Sequence, residues 1–233
     1  MTRFTTTRWS LVLKARKETG RAHTALDTLC QMYRPPVLAY IRAQGYASDA
    51  AEDLAQRFFL HFIEDAYHAN ADPARGRFRS FLITAIKHFL TDAYKEAHRL
   101  KRGGSAPHES LDDGSAALAD HSSNPESAFE RAWAMTVLNT AIGKLRDEAD
   151  RSGKGKLFAH LAEFLVEPAD RADYSRAALA LNMRPNTLAV AAHRLRHRLR
   201  ELVIEELKDT VADNADLDAE LRVLRGALGA TTV

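Results

Sequence analysis

Apolar residues recur at spacings of three and four along most of this 233-residue chain, and period-two alternation is nearly absent. That pattern predicts helices carrying one buried stripe each, with almost no strand. Residues 9–17 and 24–44 show the helical spacing. Pro35-Pro36 interrupts the second run, which predicts a kink or break there. Residues 49–64 read as a helix opened by Ser48 or Asp49 as N-cap, with Glu52 in its first turn. Ala66 to Gly76, containing Asn70, Pro73 and Gly76, reads as a loop. Phe78, Leu82, Ala85, Ile86, Phe89, Ala93, Ala97 and Leu100 then form the stripe of a long helix ended by Gly103-Gly104.

In the second half, Phe129, Trp133, Val137, Leu138, Ile142 and Leu145 mark a helix. Leu157, Phe158, Leu161, Phe164 and Leu165 mark another, stopped before Pro168. Tyr174 to Leu181 is a short helix and Asn182-Met183-Arg184 a tight turn, with Pro185 suited to the first position of the next helix. In that helix Leu188, Ala192, Leu195, Leu199 and Leu202 point inward. Between the halves, residues 103–127 are rich in Ser, Gly, Asp and Ala and lack helical periodicity, so they read as a flexible acidic linker. The architecture expected is all-α: two small helical domains over 1–102 and 128–210, joined by that linker. An amphipathic tail over 211–233 (Leu217, Leu221, Leu224, Leu228) follows.

Composition narrows the class. With 27% charged and 45% apolar residues, 11 Gly and 7 Pro, the chain is neither collagen-like nor wholly disordered. Cys30 alone makes no internal disulfide, which fits a reducing compartment. No signal-peptide run opens the sequence, and no stretch of about 18 apolar residues is present to span a bilayer. A soluble cytoplasmic protein without a membrane partner is expected.

The net charge of +2 is a sum of opposed blocks. Residues 46–72 hold six acids against Arg57, and 75–102 hold eight Lys and Arg against two acids. Residues 103–127 hold five acids and no base. Residues 184–200 hold five arginines and no acid, and 201–220 hold eight acids against Lys208. Two basic segments therefore stand among acidic ones.

The distal basic segment coincides with a short helix, a three-residue turn and a second helix, the arrangement that places a recognition helix in the DNA major groove. Arg184, Asn186 and Thr187 sit at its start, and His193, Arg194, Arg198 and Arg200 lie largely outward. Arginine forks suit phosphates and guanine edges. The competing reading is a solvated basic helix resting on acidic neighbours such as 201–220. The proximal basic segment interleaves Arg75, Arg77, Arg79, Lys87, His88, Lys95 and Arg99 with aromatics. Lys87, Thr91, Lys95, His98 and Arg102 fall opposite the apolar stripe, a face suited to phosphates. Phe78 and Phe89 read as core. Asp49, Glu52, Asp53 and Gln56 form one acidic edge at i, i+3, i+4 and i+7, suited to a basic protein partner or to solubility alone. No phosphate-binding loop, GxSxG, HExxH or paired-cysteine motif occurs. His193 and His197 lack a joining carboxylate, so no metal, cofactor or catalytic residue is expected.

In this order the segments resemble the extracytoplasmic-function (ECF) group of bacterial sigma-70 RNA polymerase sigma factors. Asp49-Ala50-Ala51-Glu52-Asp53-Leu54-Ala55-Gln56 is similar to that family's region 2.2, and Arg75-Gly76-Arg77-Phe78-Arg79-Ser80-Phe81-Leu82 to the approach to its basic helix. Thr187 to Arg200, with its His193-Arg194 pair, resembles the region 4.2 recognition helix. Thr6-Thr7-Arg8-Trp9-Ser10-Leu11-Val12-Leu13, Phe129 to Ala134 and the tail to Leu228-Gly229 resemble a subgroup common in planctomycetes and some proteobacteria.

The resemblance implies roles. Asp49, Glu52, Asp53 and Gln56 would dock on the β′ clamp helices of core RNA polymerase. Loop 66–77 and the basic helix, with Arg75, Arg77, Arg79, Lys87, His88, Thr91, Lys95 and Arg99, would bind and melt the −10 element. Arg184, Asn186, Thr187, His193, Arg194 and Arg198 would read the −35 element. The β flap is a further expected contact, the linker would thread toward the polymerase channel, and catalysis would belong to the polymerase. A regulatory Ser/Thr kinase or an anti-sigma factor is the expected controlling partner. Three features depart from the pattern. Ala189 and Ala191 stand where the recognition helix often has Lys or Arg, and Arg57 follows Gln56 within the acidic edge. Ala51 and Ala55 cannot be phosphorylated. The alternative is a stand-alone helix-turn-helix regulator, which leaves the first domain without a role.

Overall fold

A computed structural model describes residues 21–64, 77–102, 124–166, 169–208, 210–211 and 214–229. Regular structure among them is wholly helical: α1 (Arg21–Ala43), α2 (Ser48–Glu64), α3 (Phe78–Arg102), α4 (Pro125–Arg151), α5 (Gly155–Leu161), a 3₁₀ turn (Glu163–Leu165), α6 (Arg171–Leu181), α7 (Pro185–Lys208) and α8 (Asn214–Leu228). None of these helices is long and apolar enough to cross a membrane. The N-terminal motif, the helix expected over 9–17, loop 66–76 and most of the linker lie outside the described residues.

Two compact units emerge, one of Met1–Trp133 with Asp209–Asp216, the other of Ala134–Lys208 with Leu217–Val233. They part inside α4 rather than at 103–127, and α4 itself begins at Pro125, where the Asn124 side-chain oxygen accepts the Glu126 N–H at 3.0 Å. Of the C-terminal stretch, Asp209–Asp216 belongs to the first unit and Leu217–Val233 to the second.

In the first unit, α1 runs from Arg21 to Ala43 straight through Pro35 and Pro36. The expected break does not occur. A proline inside a helix forfeits a hydrogen bond and costs about 3 kcal/mol. Burial of Tyr33, Pro36, Val37, Tyr40 and Ile41 around the pair offsets that loss, so packing overrides local propensity. Ser48 is already the first residue of α2, and the Ala51 N–H bonds the Ala47 carbonyl at 2.8 Å. Neither Ser48 nor Asp49 is the cap; Ser48 Oγ accepts instead from Arg42. The core is aromatic. Tyr33 meets Phe78 edge-on at 5.0 Å, Phe58 meets Phe89 at 5.6 Å, and Phe62 meets Phe81 at 6.2 Å. The α3 stripe is buried from Phe78 to Leu90 but not beyond, since Ala97 is exposed.

In the second unit, Leu161, Phe164, Ala177, Ala178, Leu188 and Ala192 form one apolar cluster that ties α5, the 3₁₀ turn, α6 and α7 together. The Arg196 Nε–H donates to the Phe164 carbonyl at 2.8 Å, fixing α7 to that turn.

Candidate nucleic-acid interface

The α6–turn–α7 unit is set by its end groups. Asp170 caps α6 through a reciprocal box, its carboxylate accepting from the Asp173 N–H at 2.8 Å while Asp173 accepts from the Asp170 N–H at 2.9 Å. That bond from the Asp173 backbone holds the Asp170 carboxyl below its usual range. Asn182 ends the helix at φ 50° and ψ 46°, the left-handed conformation that asparagine tolerates. Pro185 then opens α7, and the Arg184 carbonyl accepts from Thr187 and Leu188. The short helix, tight turn and second helix expected from the spacing are all present.

Along α7, Arg184, Asn186, Thr187, His193 and Arg194 are exposed, and no ion pair engages Arg184 or Arg194 among the described residues. They can pair with phosphates or base edges without breaking internal contacts. Arg198 differs. It is held by both oxygens of Glu148 on α4, at 3.0 and 2.8 Å, and by Glu201 and Glu205 at 2.8 and 3.2 Å. Glu148 and Glu201 push its guanidinium above the ordinary arginine range, and in return Arg198 draws the Glu148 carboxyl down. For this residue the acidic-neighbour reading holds. Beside the exposed face of α7 lies a cavity of about 620 Å³, floored by Leu145, Leu157, Phe158 and Leu195 and rimmed by Thr187 and Arg194.

In the first unit, Asp49, Asp53 and Gln56 are exposed along one edge of α2, with Leu60 continuing the same line at 50% exposure. Glu52 is only half-exposed, because Arg34 and Arg42 on α1 both take its carboxylate. Arg57 turns away to Glu96 on α3 at 3.3 Å. Together with His61, Phe89, Lys95 and Arg99 it lines a cavity of about 390 Å³ between α2 and α3.

The α3 residues divide. His88, Thr91, Lys95 and Arg99 are exposed, and Lys95 pairs locally with Asp92 at 3.6 Å. Arg79 is buried, at 5% exposure, against Glu130 and over the Trp133 ring at 5.2 Å. In this arrangement Arg79 is engaged with the fold, where a direct DNA contact was expected. Lys87 bonds Glu126, which raises its pKa, and Arg77 approaches Asp216 at 3.9 Å. Arg75 lies outside the described residues. Among the described residues no cluster of three potential ligands could hold a metal.

Residues 29–100 match the protein family described as Sigma-70 region 2. Over those residues the first unit is similar to that region. The match supports a sigma-70 family RNA polymerase sigma factor acting in promoter recognition and transcription initiation, with core RNA polymerase and promoter DNA as partners. No curated protein and no solved structure matches the chain.

Within the matched residues, sequence reasoning left three exposed features unassigned. Leu60 lies one helical repeat past Gln56 and is the apolar member of the acidic edge. Tyr94 is 58% exposed and stacks on His98 with ring centroids 3.9 Å apart. Arg57, read from sequence only as a defect of the acidic edge, belongs spatially to the α3 cations. The signal for Tyr94 and Leu60 was present as a position off the buried stripe. For Arg57 there was none, because its partner is 39 residues away.

Proposed function

We propose that this chain is a sigma factor of the ECF group, directing core RNA polymerase to promoters by reading both the −10 and −35 elements. In this reading residues 1–102 are region 2, 103–127 the linker and 128–210 region 4. The observation that carries it is the helix-turn-helix of the second unit, with Arg184, Asn186, Thr187, His193 and Arg194 exposed, on the same chain as a region 2. Asp49, Asp53 and Gln56 dock on the β′ clamp helices, with Glu52 held by α1 at the margin. His88, Thr91, Lys95 and Arg99 contact the −10 strand, and the exposed Tyr94 offers a face on which an unpaired base stacks. Phosphate contacts position the protein, and the start of α7 specifies sequence. The setting is the bacterial cytoplasm, where the polymerase works.

Run-off transcription with purified core enzyme on a library of source-genome promoter fragments tests this. Discrete transcripts that require the added chain are expected; their absence from every fragment refutes it. A stand-alone regulator would instead bind specific DNA equally well with and without core enzyme in a filter-binding comparison.

A further inference from the structure

Arg77, just before α3, and Arg79 and Lys87 in its N-terminal half each meet a carboxylate supplied from beyond residue 124. Lys87 bonds Glu126, Arg79 bonds Glu130, and Arg77 approaches Asp216 at 3.9 Å. Glu126 and Glu130 are four apart on the first turns of α4 and so share one face, while Arg79 and Lys87 lie two turns apart on α3. Asp216 comes from the separate stretch that returns to this unit, where Thr210 and Val211 are buried at 2% and 7% exposure. The root of the arrangement is fixed: Arg79 is buried against Glu130 and lies over Trp133. Its outer members are not. Lys87 and Glu126 are 49% and 47% exposed, and Arg77 and Asp216 are 33% and 28% exposed. Pairs that wet contribute little and exchange readily. Beyond them, Lys95 pairs within α3 with Asp92, and among the described residues neither Lys95 nor Arg99 meets a carboxylate from another helix in an ion pair.

We propose that Glu126 and Glu130 on α4's first turns, together with Asp216, form an acidic strap over the N-terminal half of the α3 basic face, blocking it in the free chain and yielding to the phosphates of promoter DNA. The inference rests on α3 being the nucleic-acid surface. DNA lands first on the open half, Lys95 and Arg99. Phosphates then replace Glu126 at Lys87 and Asp216 at Arg77, while Arg79, Glu130 and Trp133 stay in place as the hinge end. A carboxylate and a phosphodiester compete for the same ammonium or guanidinium, so the strap lowers affinity for DNA met without polymerase and keeps the surface from nonspecific occupation.

The test uses the full chain, without polymerase, and a fluorescein-labelled single-stranded oligonucleotide of about 20 nucleotides, read by anisotropy at low and moderate salt. Glu126→Gln and Asp216→Asn are each expected to tighten binding about threefold. The gain from Glu126→Gln should vanish in the Lys87→Ala background. Persistence of the gain without Lys87 would mean net charge alone acts, and would overturn the strap. If Lys87→Ala and Lys95→Ala weaken binding but Glu126→Gln and Asp216→Asn leave it unchanged, the strap fails while the nucleic-acid face stands. If none of the four changes binding, α3 is not the DNA surface and both readings fall. Hydrogen exchange on the unaltered chain gives an independent readout: the amides of Thr210 and Val211 should lose protection when the oligonucleotide is added, and unchanged protection would overturn the strap.

Discussion

Two arginines one turn apart on α7, Arg194 and Arg198, look equivalent in a helical net but have different surroundings. Arg194 is exposed, and Arg198 is enclosed by three glutamates. Arg194→Ala should therefore weaken promoter binding and lower the slope of log affinity against log salt by about one. Arg198→Ala should leave that slope unchanged and cost about 1 kcal/mol of stability, or about 2–4 °C in the melting temperature, since the network is partly wet. Filter binding across a salt series and a circular-dichroism melt separate the two. The same network sets an acid limit. The Glu148 carboxyl is depressed below its ordinary 4.5, and Asp170 below 3.8. A depressed carboxyl contributes stability that is fully present above its ordinary value and lost as pH falls through the folded one. Melting temperature should hold from neutrality to about pH 5 and then fall, and Glu148→Gln should flatten the upper part of that fall. Arg79 shows how far sequence could go at this scale. It lies three residues before Leu82 and seven before Ile86, hence on the buried stripe, so its burial was legible. Its partner Glu130, 51 residues on, was not.

At the scale of elements, helix positions followed from the period of apolar residues, and the boundaries followed wherever a local chemical group fixes them. The α6–α7 turn is such a case, with Asp170 at one end of α6 and left-handed Asn182 at the other. Asn182→Val should cost about 1–2 kcal/mol, because a β-branched residue resists positive φ, whereas Asn182→Gly should be close to neutral. Asp170→Ala should lower stability by removing the cap. Urea titrations of the three variants give the comparison. Where boundaries depended on packing, local reading failed. Pro35-Pro36 has the sequence of a helix break, yet Tyr33, Val37, Tyr40 and Ile41 bury the surrounding turns. The start of α4 was also missed, since Pro125 to Ser127 share the polar composition of the linker and only the fold gives Glu126 a partner in Lys87.

For the molecule as a whole, the opposed charge blocks become surfaces with different fates. The acidic edge of α2 stays open at Asp49, Asp53 and Gln56, while the acids of 201–220 are partly consumed by Arg198, Lys144 and Arg77. Asp53→Lys should then reduce capture of core polymerase by about tenfold without altering the far-UV spectrum or the melt, since Asp53 is exposed and touches no core group. Undiminished capture in a pull-down would remove α2 from the docking surface. Charge alternation was readable in the sequence, but which acids remain available was not, because that depends on pairings across 50 residues and more.

The return of Asp209–Asp216 to the first unit also has a consequence in time. Synthesis proceeds at about 5–20 residues per second, so about 6–20 s separate the emergence of Arg102 from that of Asp216. Throughout that interval the nascent first unit lacks Thr210 and Val211, and for the first part of it also Glu130 and Trp133. Arg79 must wait on the ribosome with neither its carboxylate nor its ring. A fragment ended at residue 102 would preserve that unfinished state permanently, so a faithful dissection of the chain has to keep its last quarter.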